Sequence, residues 1–195
     1  MPNPNKVPDF LGIAADLKKN ASRYAATESV KFFVDSFRKE GWTDSSFTAW
    51  AKSNSPMAAN KTLFKSGDLM RSIHKVEESP ERVVIEANKP YAEIHNSGGT
   101  ITVTPKMKKF FWAKYIELSG KVKKTKSGKA SQSKSNLNTN AKAEFFKRLA
   151  LMKVGSKIKI PKRQYMGESI IMMQQFDGWF LGRVEYKFAE ATKQA

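Results

Sequence analysis

One basic segment dominates the charge of this chain and restricts how it can fold. Residues 105–163 contain 18 Lys and Arg against 2 Asp and Glu, whereas residues 1–104 contain 14 against 12 and residues 164–195 contain 3 against 4. Because uncompensated like charges repel, such a segment must either stay well solvated or lie against a polyanion. The charge pattern therefore leaves two kinds of partner open for it, a nucleic acid or an acidic protein surface.

Length and composition favour a single domain and argue against several kinds of chemistry. With 195 residues, 40% of them hydrophobic, the chain can bury a core of its own. It has no cysteine and two histidines, His74 and His95, so a disulfide framework is excluded and a zinc site is not expected. It contains no nucleotide-binding loop and no hydrolase motif. We expect a non-enzymatic protein without metal or cofactor, made in the cytosol, with no signal peptide and no membrane span.

A long amphipathic helix is predicted at the start of the chain. Apolar residues recur at three- and four-residue spacing from Phe10 to Phe37, with basic residues between them. Asp9 precedes this pattern as an N-cap, and Gly41 follows it as the expected residue after the helix.

Short elements are predicted after this helix. Residues 41–62 are rich in turn formers and contain Trp42 and Trp50, which indicates an irregular segment anchored by two indole rings. Leu69 and Ile73 share a helical face, so a short helix is expected there. His74 is expected at the surface, at the end of that helix. Residues 82–87 form the clearest strand.

The basic segment is predicted to form a helix–loop–helix. Residues 106–118 and 141–153 have helical spacing with lysines on the polar face, and residues 119–140 have almost no large apolar side chain. The loop cannot bury enough surface to offset its ordering entropy, so we expect it to be mobile. Residues 106–153 are then a basic helical hairpin inserted into the domain formed by residues 1–195.

The segments that border this hairpin complete the predicted fold. Residues 91–99 suit one helical turn closed by two glycines, and a strand follows at 101–104. The alternation of basic and apolar residues at 157–160 predicts a strand that stops at Pro161. A last helix is expected to be capped at 177–178. The fold class is α+β: a long N-terminal helix and a C-terminal helix packed on a small, mostly antiparallel β-sheet.

Three motifs in fixed order carry a family resemblance. Residues 63–73 (LFKSGDLMRSI), 91–99 (YAEIHNSGG) and 160–167 (IPKRQYMG) resemble the pattern of the tailed-phage virion morphogenesis family, also called tail completion proteins. That pattern has Ser/Thr-Gly-x-Leu-x-x-Ser-Ile, then Tyr-Ala-x-Ile-His-x-x-Gly, then Ile-Pro-x-Arg-x-Phe-x-Gly before a C-terminal helix. Tyr165 stands where the family usually has Phe. Residues 106–153 are longer and more basic than compact members need.

The resemblance implies a structural virion protein at the head–tail junction, present in the host cytoplasm during assembly. It implies head–tail joining or tail completion, with neck, connector or tail proteins as partners and a homo-oligomeric ring as the assembled form. Arg163 would anchor the chain after Pro161, Tyr91 and Tyr165 would pack there, and glycines would supply backbone freedom. The motif residues are Gly67, Leu69, Ser72, Tyr91, His95, Gly98, Gly99, Pro161, Arg163, Tyr165 and Gly167.

The basic segment supports a second hypothesis. Its lysines can contact packaged DNA without reading its sequence, or can face an acidic neighbouring subunit. The alternative function is a sequence-independent nucleic-acid-binding accessory protein that uses residues 105–163. A nuclease lacks the cluster of Asp, Glu and His that metal-dependent cleavage requires. The contact residues proposed from the sequence are Lys121, Lys123, Lys124, Lys126, Lys129 and Lys134.

Overall fold

The computed structural model describes residues 7–53, 55–57 and 61–194. The chain divides into two compact units, one comprising residues 1–50, 66–92 and 163–195 and the other comprising residues 51–65 and 93–162. The sequence gives the first unit 15 Lys and Arg and 15 Asp and Glu, and gives the second 20 and 3. We call them the neutral unit and the basic unit. That residues 1–195 act as one domain stays a prediction.

The neutral unit begins with helix α1 (Phe10–Lys39), as predicted. The Asp9 carboxylate accepts a hydrogen bond from the Gly12 N–H at 2.9 Å and caps the first turn. The predicted end is wrong by one residue, because Glu40 and not Gly41 has the left-handed conformation, with φ 55°. Gly41 is needed for close packing: a Cβ there would lie 2.4 Å from the Phe47 ring.

The segment predicted to be irregular contains a small hairpin. Strands β1 (Gly41–Thr43) and β2 (Phe47–Ala49) pair antiparallel, with Trp42 opposite Thr48. The sequence prediction missed these strands because each has three residues and β2 is exposed throughout, which leaves no alternation of buried and exposed positions. Trp42 and Trp50 are both buried, so their predicted role as anchors is confirmed.

A second antiparallel pair follows a single turn of helix. Helix α2 (Asp68–Arg71) ends before Ile73, which starts strand β3 (Ile73–Glu78) opposite Ala87 of strand β4 (Val83–Ala87). The predicted strand at 82–87 is confirmed, but the helical placement of Ile73 is wrong. Cross-strand pairing and burial of Ile73 override the local helical spacing. His74 lies in β3 and is exposed, not at a helix end.

The C-terminal helix α6 (Ile170–Gln194) packs along α1. The Tyr24 and Trp179 rings stack with centroids 4.1 Å apart, and Lys187 forms an ion pair with Asp16 at 2.9 Å. The predicted cap at 177–178 is wrong, because both residues lie inside this helix.

The start of α6 is fixed by oxygen atoms that the sequence prediction did not use. The Asp44 carboxylate accepts from the Ile170 N–H at 3.0 Å, and the Ser169 hydroxyl accepts from the Met172 N–H at 3.1 Å. These bonds satisfy N–H groups that a first helical turn leaves without helical partners.

The chain passes from the neutral to the basic unit within helix α3 (Ala92–Ser97), which confirms the predicted helical turn. Strand β5 (Gly99–Thr102) then pairs antiparallel with strand β6 (Lys157–Ile160), placing Thr100 opposite Lys159 and Thr102 opposite Lys157.

Two helices form the rest of the basic unit. Helices α4 (Pro105–Ser119) and α5 (Lys134–Leu151) pack around Phe111, Phe146 and Ala150. Helix α5 begins at Lys134 rather than at residue 141, because the Ser133 side chain caps its first turn and polar residues fill its exposed face.

The predicted α+β class, with N- and C-terminal helices, is confirmed. In the part of the chain that the structure describes, the strands form three separate two-stranded antiparallel pairs rather than one sheet. That α4, α5 and their connection are an insertion stays a prediction.

Candidate functional site

Tyr165 of the third motif lies at the centre of a buried cluster in the neutral unit. Its side chain is 1% exposed, and its hydroxyl donates to the carbonyl oxygen of Ala92 in the second motif at 3.0 Å. Its ring centroid lies 5.0 Å from that of Phe37 on α1. Tyr165 therefore joins the second and third motifs to the end of the long helix.

Trp50 closes this cluster from the hairpin side. Its ring packs edge-on against Phe37 with centroids 5.5 Å apart, and its Nε1–H donates to the Gln164 carbonyl oxygen at 2.8 Å. Because buried polar groups cost free energy unless they are hydrogen-bonded, these two bonds fix the rings in one arrangement. We call Phe37, Trp50, Ala92 and Tyr165 the tyrosine cluster. The sequence prediction did not place Phe37 and Trp50 beside Tyr165.

The first motif forms a compact turn of its own. Gly67 has φ 76° and precedes α2, and Leu69 is buried. The Ser72 hydroxyl donates to the Leu69 carbonyl oxygen at 2.7 Å. The motif therefore specifies a left-handed residue, one buried side chain and a helix end, all of which are structural roles.

Arg163 and Tyr91 differ in burial. Arg163 is 7% exposed, and its burial lowers the pKa of the guanidinium below its usual value. Tyr91 is 42% exposed, so Tyr165 is the more deeply packed of the two predicted rings. The anchoring role of Arg163 stays a prediction.

The remaining motif residues surround the β5–β6 pair and the start of α6. Gly98 has φ 73°, and a Cβ there would lie 2.7 Å from the Lys162 backbone nitrogen, just after the exposed Pro161. Gly99 begins β5, half-buried His95 lies in α3, and Gly167 has φ 138° before α6. The motifs thus fix backbone turns and close approaches and bring no set of reactive side chains together in the described residues.

A sequence model of the phage virion morphogenesis family matches residues 39–175, which is more than half of the chain. The chain belongs to the phage virion morphogenesis family. Searches of curated proteins and of solved structures found no match. Membership of this virion morphogenesis family gives the chain a structural or assembly role in a phage, and the matched range includes the whole tyrosine cluster except Phe37.

This member of the virion morphogenesis family carries its excess charge in one of its two units. The basic unit contains all six lysines proposed from the sequence and also residues 51–65, which the sequence prediction left outside the basic segment. Its three carboxylates are Glu93, Glu117 and Glu144. Glu93 accepts a hydrogen bond from the Ser97 hydroxyl at 2.6 Å, and the other two form ion pairs with lysines.

Glu117 compensates two of these lysines. Its carboxylate lies 2.7 Å from the Lys114 ammonium and 2.8 Å from that of Lys121, and these hydrogen bonds lower the pKa of the Glu117 carboxyl from its usual 4.5 to about 2. Because this pKa is depressed, both ion pairs are fully formed above about pH 4.5 and are lost only as the pH falls toward about 2. Lys121, which was proposed as a contact residue, therefore has its charge partly compensated.

The connection between α4 and α5 is held by hydrogen bonds from one buried side chain. The Asn136 side chain, in a residue that is 4% exposed, accepts from the Lys123 N–H at 2.7 Å and donates to the Lys123 and Ser131 carbonyl oxygens at 3.1 and 2.7 Å. Lys124 and Ala130 form an isolated antiparallel bridge. No pattern in the sequence singled out Asn136, since a buried Asn has no periodicity. The mobility of residues 119–140 stays a prediction.

The proposed lysines keep exposed side chains on this framework. Lys123, Lys124, Lys126 and Lys129 lie in the connection, and Lys134 lies in the first turn of α5. A basic residue at a helix N-terminus opposes the helix dipole, at a cost of about 0.3–1 kcal/mol. Helix stability therefore does not account for the position of Lys134.

Within the described residues, no group of three or more His, Asp and Glu side chains is placed to hold a metal ion. Among the helices of the described residues, none combines the length and the hydropathy that a membrane span requires.

Proposed function

We propose that this chain acts at the head–tail junction of the phage particle, where it joins heads to tails or completes the tail. The observation that carries the proposal is the family match over residues 39–175. The motif residues support it, because they fix backbone turns and a buried cluster, as expected of a rigid assembly component. We propose that the chain has no enzymatic activity.

The test is electron microscopy of particles made without this protein. The expected result is filled heads and separate, unjoined tails, because the joining step lacks a component. Supplying the wild-type chain from a plasmid should restore joined virions and serves as the control. Normal virions in its absence would refute the assignment.

We also propose that the chain assembles as a ring in the particle. A ring requires two different surfaces on each subunit that meet by rotation. Helices α1 and α6 of the neutral unit carry exposed apolar side chains that suit such contacts, including Leu11 and Leu181, the latter 60% exposed. Net charge does not oppose association of this unit, since its acidic and basic residues are equal in number.

The substitution Leu181→Gln is expected to reduce the number of copies per particle, because it removes apolar contact area and keeps the helix. Quantitative mass spectrometry of purified virions measures the copy number. Lys193→Gln on the same helix is the matched control and should leave it unchanged. A single copy in wild-type virions would contradict a ring.

A second candidate function is favoured by the charge of the basic unit. A nucleic-acid-binding accessory protein would bind DNA tightly with a steep salt dependence and would not be needed for joining. Joined virions in its absence, together with such binding by the purified chain, would favour this alternative.

A further inference from the structure

The β5–β6 pair presents a polar face whose two lysines lie in the basic segment but are not among the contact residues proposed from the sequence. Lys157 and Lys159 are exposed, and the residues directly opposite them, Thr102 and Thr100, are exposed as well. Residues directly opposite each other in an antiparallel pair share a face, so these four side chains form one surface. Ile101 and Ile158, which also pair, alternate with them and are less exposed. We call the four-residue surface the Lys–Thr face.

Both ends of this pair are held by backbone contacts. Beyond β5, the Val103 N–H donates to the Ser156 carbonyl oxygen at 2.8 Å, and the Gly155 N–H donates to the Val103 carbonyl oxygen at 2.9 Å. At the other end, Gly98 leaves no room for a side chain beside Lys162. The Lys–Thr face is therefore pre-organised, and binding through it requires little ordering of the backbone.

The two lysines of this face are without compensating carboxylates. In the described part of the basic unit, the lysines found in ion pairs are Lys114, Lys121 and Lys147. Lys157 and Lys159 are not among them. They lie two residues apart on one strand and face, about 6.8 Å apart along it. Two like charges at this distance repel each other, and a polyanion lying against them would offset that repulsion.

We propose that the Lys–Thr face binds the phosphates of double-stranded DNA without reading its sequence. Along the helix axis one DNA strand carries a charge about every 3.4 Å, so two lysines about 6.8 Å apart can reach phosphates of the same strand. The threonine hydroxyls can donate to phosphate oxygens between the ammonium groups. A two-stranded ribbon also fits the width of the major groove.

The chemistry of the face favours a duplex over other polyanions. It has no aromatic ring on which an unpaired base could stack, so single-stranded nucleic acid is disfavoured. It has no Arg, Asn or Gln to pair with base edges, so binding depends on backbone phosphates. The two lysines have a fixed spacing on the strand, which matches a polyanion with regularly spaced charges such as a duplex better than an acidic protein surface.

This inference rests on the proposed function, because a component of the junction lies near the path of the packaged DNA. Its failure can be distinguished from failure of that function. DNA binding is measured on the purified full-length chain, whereas the joining role is measured on particles. Either result can be positive when the other is negative.

The test compares the salt dependence of binding in two matched double variants. Lys157→Gln with Lys159→Gln removes two charges from the Lys–Thr face. Lys18→Gln with Lys19→Gln removes two exposed charges from α1 in the neutral unit. Fluorescence anisotropy with a labelled duplex of random sequence gives the dissociation constant between about 50 and 200 mM salt.

The expected result is a salt slope that is smaller in magnitude by about 1.8 for the Lys–Thr variant, since each lost phosphate contact removes about 0.9. Over a fourfold rise in salt, wild-type binding should weaken about tenfold more than binding of this variant. The α1 variant should keep the wild-type slope. Lys157→Arg with Lys159→Arg keeps both charges and should also keep it.

Several outcomes would overturn the proposal. These are an unchanged slope in the Lys–Thr variant, equal losses in both glutamine variants, and tighter binding to a single strand of the same sequence. Competition by polyglutamate that is as effective as duplex DNA at equal charge would assign the face to an acidic protein instead. Lysines on exposed strands also prevent edge-to-edge aggregation. A Lys–Thr variant that aggregates yet binds DNA with the wild-type slope would show that this is their role.

Discussion

Replacing Tyr165 by alanine is expected to lower the free energy of unfolding by about 3–5 kcal/mol. The substitution empties a site that is 1% exposed, removes the ring that packs against Phe37, and leaves the Ala92 carbonyl oxygen without its 3.0 Å hydrogen bond. Domains of this size have unfolding free energies of about 5–15 kcal/mol, so the loss is a large share of the total. Urea denaturation, followed by tryptophan fluorescence because Trp50 lies in the same cluster, measures it.

Two further variants separate the ring from the hydroxyl. Tyr165→Phe keeps the ring and should cost about 1–3 kcal/mol through the unsatisfied carbonyl. Tyr186→Ala removes a tyrosine that is 56% exposed on α6, and its effect should stay within about 0.5 kcal/mol. Equal losses for Tyr165→Ala and Tyr186→Ala would contradict a central role for the tyrosine cluster.

The substitution Gly98→Ala is expected to destabilise the β5–β6 pair by about 2–5 kcal/mol. Gly98 has φ 73°, where alanine costs about 1–2 kcal/mol. The new methyl group would also lie 2.7 Å from the Lys162 nitrogen, a backbone atom that cannot rotate away. The pair must therefore open or shift at this end, and faster amide hydrogen exchange in β5 and β6 would report that change.

Gly128→Ala is the matched control for this prediction. Gly128 has a nearly identical φ of 78°, and a Cβ there would meet nothing within 4 Å. The substitution should therefore lower the stability only through the strain of a left-handed alanine, about 1–2 kcal/mol. The difference between the two glycines isolates the steric contact with Lys162. If both variants lose the same stability, the contact between a side chain at position 98 and the Lys162 backbone does not contribute to the loss.

Local signals in the sequence were sufficient for the elements whose stabilising groups are close in the chain. Helix α1 has its capping Asp9 and its apolar spacing within one segment, and the alternation of Lys157–Ile160 matches the exposure along β6. Both elements were predicted nearly to the residue. Helix α3 followed from the paired glycines after it.

Elements fixed by distant partners were not predictable in the same way. The start of α6 depends on Asp44, which is 126 positions away from Ile170. Hairpin β1–β2 depends on Gly41 because the Phe47 ring packs against it, a contact that no periodicity reveals. The helix predicted as far as Ile73 failed because pairing with Ala87 determined the structure there.

The candidate sites show the same limit. The three motifs were recognisable in the sequence, but the packing of Tyr165 on Phe37 and its bond to Ala92 join residues far apart in the chain. The charge excess was also evident from composition. Composition does not show which lysines lack a nearby carboxylate. That depends on Glu117 lying between Lys114 and Lys121, and on the β5–β6 register that puts Lys157 and Lys159 beside two threonines.

The uneven distribution of charge between the two units has a consequence for assembly order. If copies of the chain form the proposed ring and their basic units lie next to one another, 20 Lys and Arg and 3 Asp and Glu in each of these units repel those of its neighbours. Repulsion between these units acts over a Debye length of about 8 Å at physiological salt. Added salt should then favour association of the chains while weakening their hold on DNA. DNA arriving at the junction would also favour association of the chains, because its phosphates supply the anions that let neighbouring basic units approach. Unlike added salt, it would do so without weakening DNA binding.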